Sequence, residues 1–292
     1  MKKTGTAHRL ISLLLVLSLI CITLFGCVQQ GEAKVITAGG MLAVHFIDVG
    51  QGDCELIVAP TGETMLIDAG ISSSGDDIVD YISELGITEI DVFVATHYHA
   101  DHIGGSPDVF EAFDILSVLI LDCEVSTATA RKLKSDIEKE GSEIIYAERG
   151  LSLELGDVDF LTISPKSITD GGGNNDSIML RMQYGDSRYI FTGDAEKEAE
   201  EDVLDYYDKE DLSADLLKVG HHGSSTSTST AFLSTVSPSV AVISCGVGNS
   251  YGHPHTKTLD KLLKSAKYVY RTDVEGDIVI MTDGKSIYFN GQ

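Results

Sequence analysis

The segment Thr96-His97-Tyr98-His99-Ala100-Asp101-His102 gathers three imidazoles and a carboxylate into one short stretch. Such groups are costly to bury unless something pairs them. Imidazole nitrogen and carboxylate oxygen are the usual donors to zinc and manganese. The apolar run 91–95 reads as a buried strand, so the cluster begins where that strand ends. There His97 and His99 can point to one side while the chain turns at Ala100, carrying Asp101 and His102 to a neighbouring position. That spacing suits two metal ions sharing one loop. Gly104-Gly105 then lets the backbone pass close to the site and begin a helix. A solvated histidine-rich loop is the weaker alternative.

Other candidates are less sharp alone. Asp68 in Leu66-Ile67-Asp68-Ala69-Gly70 and Asp194 in Phe191-Thr192-Gly193-Asp194 each follow an apolar run, where an aspartate is as often a cap or turn residue as a ligand. His221-His222 follows the apolar run 216–219 and is more suggestive, although one of the two imidazoles can be only a hydrogen-bond partner. His253 and His255 stand in Tyr251-Gly252-His253-Pro254-His255. They are either surface-loop residues or, for one of them, a group that binds or protonates a phosphate oxygen. Lys257, Lys261 and Lys264 recur at helical spacing, with Lys267 and Arg271 after them. This stripe reads first as a solvated helix face and second as a guide for a phosphodiester.

The elements that must hold these residues alternate along the chain. Strands are expected at 41–49, 54–59, 64–68 and 91–95, with a helix at 76–85 stopped by Gly86. A strand at 118–121, a charged helix at 127–140 and short strands at 144–147, 151–155 and 158–163 follow. A hairpin turns at Gly185-Asp186 between 177–184 and 188–192, and an acidic helix covers 195–206. Strands at 216–219, 240–244, 268–271, 277–281 and 286–289, with a basic helix at 256–265, complete the pattern. Two comparable halves without a linker argue for one layered domain with two sheets between outer helices.

His97-Tyr98-His99-Ala100-Asp101-His102 matches the H-x-H-x-D-H motif of the metallo-β-lactamase superfamily, and Asp68, Asp194 and His221-His222 resemble its later motifs in order. The resemblance implies an αββα four-layer sandwich and a metal-dependent hydrolase. It also narrows to a subgroup. The chain has no histidine between His102 and His221, where many members supply one, and carries Gly173-Asn174-Asn175-Asp176-Ser177 instead. That stretch is similar to the hydrolytic domain of the ComEC-like DNA-uptake proteins and their stand-alone relatives. Asp48-Val49-Gly50-Gln51-Gly52-Asp53, the run 218–224, the run 251–255 and Tyr270-Arg271-Thr272-Asp273 match the same subgroup.

The resemblance implies one metal on His97, His99 and Asp194, and a second on Asp101, His102, Asp194 and either His221 or His222. Asn175 would fill the place of the missing histidine, through its carbonyl or a held water, which makes manganese plausible beside zinc. Asp68 and Asp48 would orient the metal loop from behind. Two ions about 3.5–4 Å apart can share a hydroxide, because they lower the pKa of water toward ~7. Asp101 would steer that nucleophile, and His253 would serve a phosphate oxygen. The expected substrate is a phosphodiester, with DNA as one form of it. A cell-envelope phosphoester such as phosphocholine on teichoic acid is the alternative, and a non-catalytic binding protein on the same fold is the third reading.

Composition sets the surroundings. The chain has 292 residues, 43% hydrophobic and 23% charged, as expected of a folded globular body. Its formal net charge of −24 repels polyanions at long range and disfavours tight, non-specific nucleic-acid binding by the whole surface. Lys2, Lys3 and Arg9 precede the apolar run 10–23, which reads as an export signal better than as a spanning helix. Leu24-Phe25-Gly26-Cys27 resembles a bacterial lipobox. Residues 1–26 are therefore expected to be a signal peptide, 27–40 a tether lipidated at Cys27, and 41–292 the hydrolase. The body would then lie outside the cytoplasm at the membrane. Cys54, Cys123 and Cys245 form neither a disulfide framework nor a zinc-binding pair by spacing.

Overall fold

The computed structural model describes residues 40–289. The expected signal, tether and lipidated Cys27 lie outside the described residues, apart from residue 40. Among the described residues no helix is long and apolar enough to cross a membrane.

Two mixed sheets face each other. The first holds eight strands in the order β15-β14-β1-β2-β3-β4-β5-β6: β1 (Leu42–Phe46), β2 (Glu55–Val58), β3 (Thr64–Ile67), β4 (Glu89–Val94), β5 (Asp114–Ile120), β6 (Glu143–Tyr146), β14 (Ile278–Thr282) and β15 (Ile287–Phe289). The second holds seven in the order β13-β12-β11-β10-β9-β8-β7: β7 (Ser152–Leu155), β8 (Val158–Ser164), β9 (Met179–Tyr184), β10 (Ser187–Phe191), β11 (Leu216–Lys218), β12 (Val240–Ile243) and β13 (Tyr268–Arg271).

Both sheets change character part-way across. β1, β2 and β3 pair antiparallel, then β3 through β6 run parallel. Likewise β7 through β10 are antiparallel, then β10 through β13 parallel. Parallel strands need crossovers, and helices supply them on the outer faces. These are α1 (Gly75–Glu84), α2 (Ala100–Ile103), α3 (Ser106–Ala112), α4 (Ala128–Glu140), α5 (Lys197–Tyr206), α6 (Lys209–Leu212), α7 (Thr230–Val236) and α8 (Thr256–Ser265), while α9 (Thr272–Glu275) joins β13 to β14 of the other sheet. The αββα architecture expected from the sequence is the observed one.

Leu42, Val44, Phe46, Leu56, Leu66 and Phe93 are buried in the main core, and the rings of Phe46 and Phe191 meet across the sheets with centroids 6.4 Å apart. A second apolar cluster lies under α5, α7 and α8, with Val203, Phe232 and Leu262 buried in it. The helix read at 195–206 starts two residues later, at Lys197. α7 was not expected from the sequence, because its Ser/Thr-rich surroundings offer the backbone competing hydrogen bonds. Tertiary burial of Phe232, Leu233 and Val236 and the Ser229 side-chain cap on the Phe232 N–H secure it.

The consequence for function is positional. Ligands of open α/β sheets gather beyond the carboxyl ends of parallel strands. Here Asp68 follows β3, His97 follows β4, Asp194 follows β10, and His221 and His222 follow β11.

Candidate metal centre

Asp68 adopts the left-handed conformation (φ 59°), which costs a non-glycine residue free energy unless its surroundings fix it. Its carboxylate accepts hydrogen bonds from the Thr96 N–H (2.8 Å) and Thr96 hydroxyl (2.7 Å), and lies 2.6 Å from His102 Nδ1. Asp68 thus holds the loop and orients an imidazole at once. Gly104 and Gly105 let this loop close: their N–H groups donate to the carbonyls of Gly70 and Ala69, and a Cβ at Gly105 would lie 2.4 Å from the Ala69 oxygen.

The imidazoles share one pattern. His102 spends Nδ1 on Asp68, His97 Nδ1 lies 3.1 Å from the Thr96 hydroxyl, and His222 Nδ1 lies 3.0 Å from the Ser244 carbonyl oxygen. Their Nε2 atoms are buried and have no hydrogen-bond partner among the described residues, as is also true of Asp194 Oδ1. Buried polar atoms are rarely left so without a function. Histidines that ligate metals characteristically use one ring nitrogen for the protein and keep the other for the ion.

Asp194 lies between the contributions of the two sheets. Its Oδ1 is 3.3 Å from His102 Nε2 and 3.6 Å from His222 Nε2, while its Oδ2 is 3.6 Å from His221 Nε2. His222 Nε2 is also 3.4 Å from Asp101 Oδ2. Donor atoms of Asp101, His102, Asp194 and His222 all fall within 4.8 Å of one another. The ring of His97 sits 4.1 Å from that of His102, and that of the exposed His99 sits 4.7 Å from His97. All seven residues expected as ligands therefore gather at one place, and the donor set fits a divalent metal.

Charge within the cluster is uneven. Burial opposes ionisation of Asp194, but the neighbouring imidazoles of His222 and His102 outweigh it and hold the carboxyl well below its ordinary range. Asp101 is brought down to about 2, burial again being overcome, here chiefly by His222 and His102. Burial also opposes charge on His222, yet Asp194 and Asp53 raise it to about 10. His97 goes the other way: burial, reinforced by His102, keeps it neutral. Ionised carboxylates here face protonated imidazoles, whose protons a bound cation would replace.

Two expected supporting or catalytic positions differ. Asp48 is exposed, and its carboxylate accepts the Gly50 N–H in its own turn rather than backing the metal loop. Asp53, from the same motif, does that work. It is 1% exposed, lies 3.1 Å from His222 Nδ1, and pairs at 2.5 Å with the equally buried Lys218. The alternation of the extended chain had no way to say which aspartate turned inward. Asn175 likewise is not at the cluster: its Oδ1 accepts the Glu196 N–H, and it lines a separate cleft with Lys166 and Asp202. Asn174 takes the place beside the metal residues, with Nδ2 3.4 Å from both His221 Nδ1 and the Glu196 carboxylate. The short 3₁₀ turn at 174–176 rotates the two amides apart.

Glu196 was also unforeseen; its carboxylate lies 3.1 Å from His221 Nδ1. His221 and His222 both have positive φ (48° and 52°), which turns two adjacent imidazoles onto one cavity. That cavity, about 330 Å³, is lined by Gln51, His99, Asp101, Asn174, Tyr251 and His253, among others. His253 is 9% exposed, with its ring 5.5 Å from His221. Burial and the neighbouring histidines lower it to about 4, so it is neutral near pH 7. His255 instead accepts the Ser225 N–H at 2.8 Å. In the basic stripe Lys261 donates to the Thr228 carbonyl and Arg271 pairs with Asp273.

Residues 47–247 match the family model described as the metallo-beta-lactamase superfamily. The chain belongs to that superfamily. Within it, the chain is 34% identical over 252 residues to ComE operon protein 3 of Bacillus subtilis, covering 80% of this chain and 32% of the relative. It is 29% identical over 240 residues to Recombination protein 2 of Haemophilus influenzae, covering 80% and 28%. The match to competence proteins places it in the ComEC-like subgroup, and the chain spans about a third of the length of these relatives. Among solved structures, the metallo-beta-lactamase fold protein YhfI from Bacillus subtilis superposes with a TM-score of 0.56 at 14% identity, over 82% of this chain and all of that one. This metallo-β-lactamase-fold protein is thus a metal-dependent hydrolase by family, with a donor cluster of the matching kind.

Proposed function

We propose that the protein is a phosphodiesterase that binds two divalent cations, zinc or manganese, and works outside the cytoplasm while held to the membrane by a lipid on Cys27. The observation carrying this reading is the position of Asp194, whose two oxygens face His102 and His222 on one side and His221 on the other. His97, His99 and Asp194 would hold one ion; Asp101, His102, Asp194 and His222 the other, with His221 reaching the shared carboxylate. Bound cations would supply a nucleophilic hydroxide near neutral pH and offset phosphoryl charge. Asp101, ionised and partly open to the cavity, accepts a hydrogen bond from an attacking water and aims it. Neutral His253 donates its ring N–H to a phosphate oxygen from the cavity wall. Asp68 and the Ser244 carbonyl fix the tautomers of His102 and His222.

A second reading, hydrolysis of a small cell-envelope phosphoester such as a phosphocholine ester, is favoured by one feature. Among the described residues no Lys or Arg lines the cavity, and the chain carries a formal charge of −24. Metal content per chain, followed by turnover of bis-p-nitrophenyl phosphate, p-nitrophenyl phosphorylcholine, single-stranded DNA and a β-lactam with zinc or manganese, separates these readings. Bound metal without turnover of any of them would leave a binding protein. Membrane attachment is tested by metabolic labelling with palmitate, expected in the wild type and lost in Cys27→Ser.

A further inference from the structure

The cavity has a wall that the metal chemistry does not use. Tyr251 lines it while remaining 64% exposed, an unusual amount for a large ring beside an active centre. Its ring lies nearly parallel to that of His253, with centroids 5.6 Å apart and 21° between planes. The connection that carries it is not slack. Asn249 bridges it, donating from Nδ2 to the carbonyls of Gly246 and His253 while its Oδ1 accepts the His253 N–H. The Gly246 N–H donates to Gln51 Oε1, and a Cβ at Gly246 would lie 2.7 Å from the Gln51 nitrogen. Tyr251 is therefore presented on a pinned loop, so little ordering entropy is lost when something stacks on it.

The other walls narrow what that something is. Gln51 and Asn174 bring side-chain amides to the cavity, and no lysine or arginine among the described residues lines it. An aromatic platform with amides and without lysine or arginine beside it suits a neutral, planar, hydrogen-bonding group better than a second phosphate.

We infer that Tyr251 is a specificity-determining residue that stacks against a nucleobase attached next to the scissile phosphate, so that the site takes a terminal nucleotide unit. This rests on the phosphoester reading above, but it is tested by binding rather than turnover. Calorimetric titration of the metal-loaded full chain with thymidine 5′-monophosphate and with 2-deoxyribose 5-phosphate isolates the base. Tyr251→Ala and Tyr251→Phe are titrated in parallel. The nucleotide should bind the wild type about tenfold tighter than the abasic phosphate, as one base–aromatic stack implies. Tyr251→Ala should erase that margin while leaving abasic binding unchanged, and Tyr251→Phe should retain it. Equal affinities in the wild type, a margin that survives in Tyr251→Ala, or no binding of either compound overturns the assignment. So does tighter binding of phosphorylcholine than of the nucleotide. Failure to hydrolyse bis-p-nitrophenyl phosphate would count against the phosphodiesterase reading alone, since the binding margin does not depend on it.

Discussion

The β3 and β4 ends on the first sheet deliver Asp68, His97 and His102, each fully buried, from two neighbouring parallel strands. The second sheet delivers Asp194 and His222 buried as well, but His221 is 22% exposed and leans on the half-open Glu196. On the first sheet one contiguous motif supplies most of the donors, and Asp68 bears the backbone strain for it. On the second, the strain sits on the histidines themselves, both in the left-handed region. The first half is fully buried; the second is partly open to solvent at His221 and Glu196. Two ions held by these donors should be bound unequally, the looser being the one on Asp101, His102 and His222, whose shared carboxylate the more open His221 reaches.

Removing the shared carboxylate should break the comparison outright. Asp194→Ala is expected to lose bound metal and to lower phosphodiester turnover at least ~10³-fold, since it costs both halves their common ligand. Metal analysis beside a turnover assay checks this, and retention of two tightly held ions would refute the shared role. Next in size is the buried ion pair beneath His222. Lys218→Met removes the buried cation paired with Asp53, and should destabilise the fold by ~3–5 kcal/mol in urea unfolding. A loss under 1 kcal/mol would mean that the pair is not what supports the second half.

His45 shows what burial alone does to an imidazole of the first sheet. It is 6% exposed, lies 2.9 Å from the Tyr81 hydroxyl, and is lowered by burial from 6.5 to about 4. The unfolded chain therefore binds the proton first as pH falls. The neutral form's contribution is full above about 6.5 and is lost on the way down to about 4. Between pH 7 and pH 5 the wild type should lose ~2 kcal/mol that His45→Gln does not lose. Unfolding curves at both pH values measure the difference, and parallel losses would contradict it. Smallest is Glu196→Gln, which weakens the support of His221 without touching the first sheet. It should lower the affinity of the looser ion by ~10-fold and leave the tighter one unchanged. Chelator competition resolves the two; equal weakening of both would erase the asymmetry.

Much of this architecture can be read directly along the chain. Apolar runs and their Gly stops locate nearly every strand, and the antiparallel and parallel segments follow from short turns against long helical connections. The ligand residues are legible for the same local reason: metal chemistry limits the side chains to few types, and one loop carries several of them. α7 was hidden because its Ser/Thr-rich sequence is ambiguous until Phe232 and Leu233 find a core. Asp48 and Asp53 could not be told apart, nor Asn174 and Asn175, because each choice depends on a single turn's rotation.

The sequence by itself determined the order of the candidate metal donors and the layering of helices on sheets, since these follow from residue type and periodicity. The tertiary structure decided which supports lie behind the ligands. The Lys218–Asp53 contact joins residues 165 positions apart. No local pattern encodes that distance. It exists because two stacked sheets bring β11 over the β1–β2 connection, where a buried charge must find its partner.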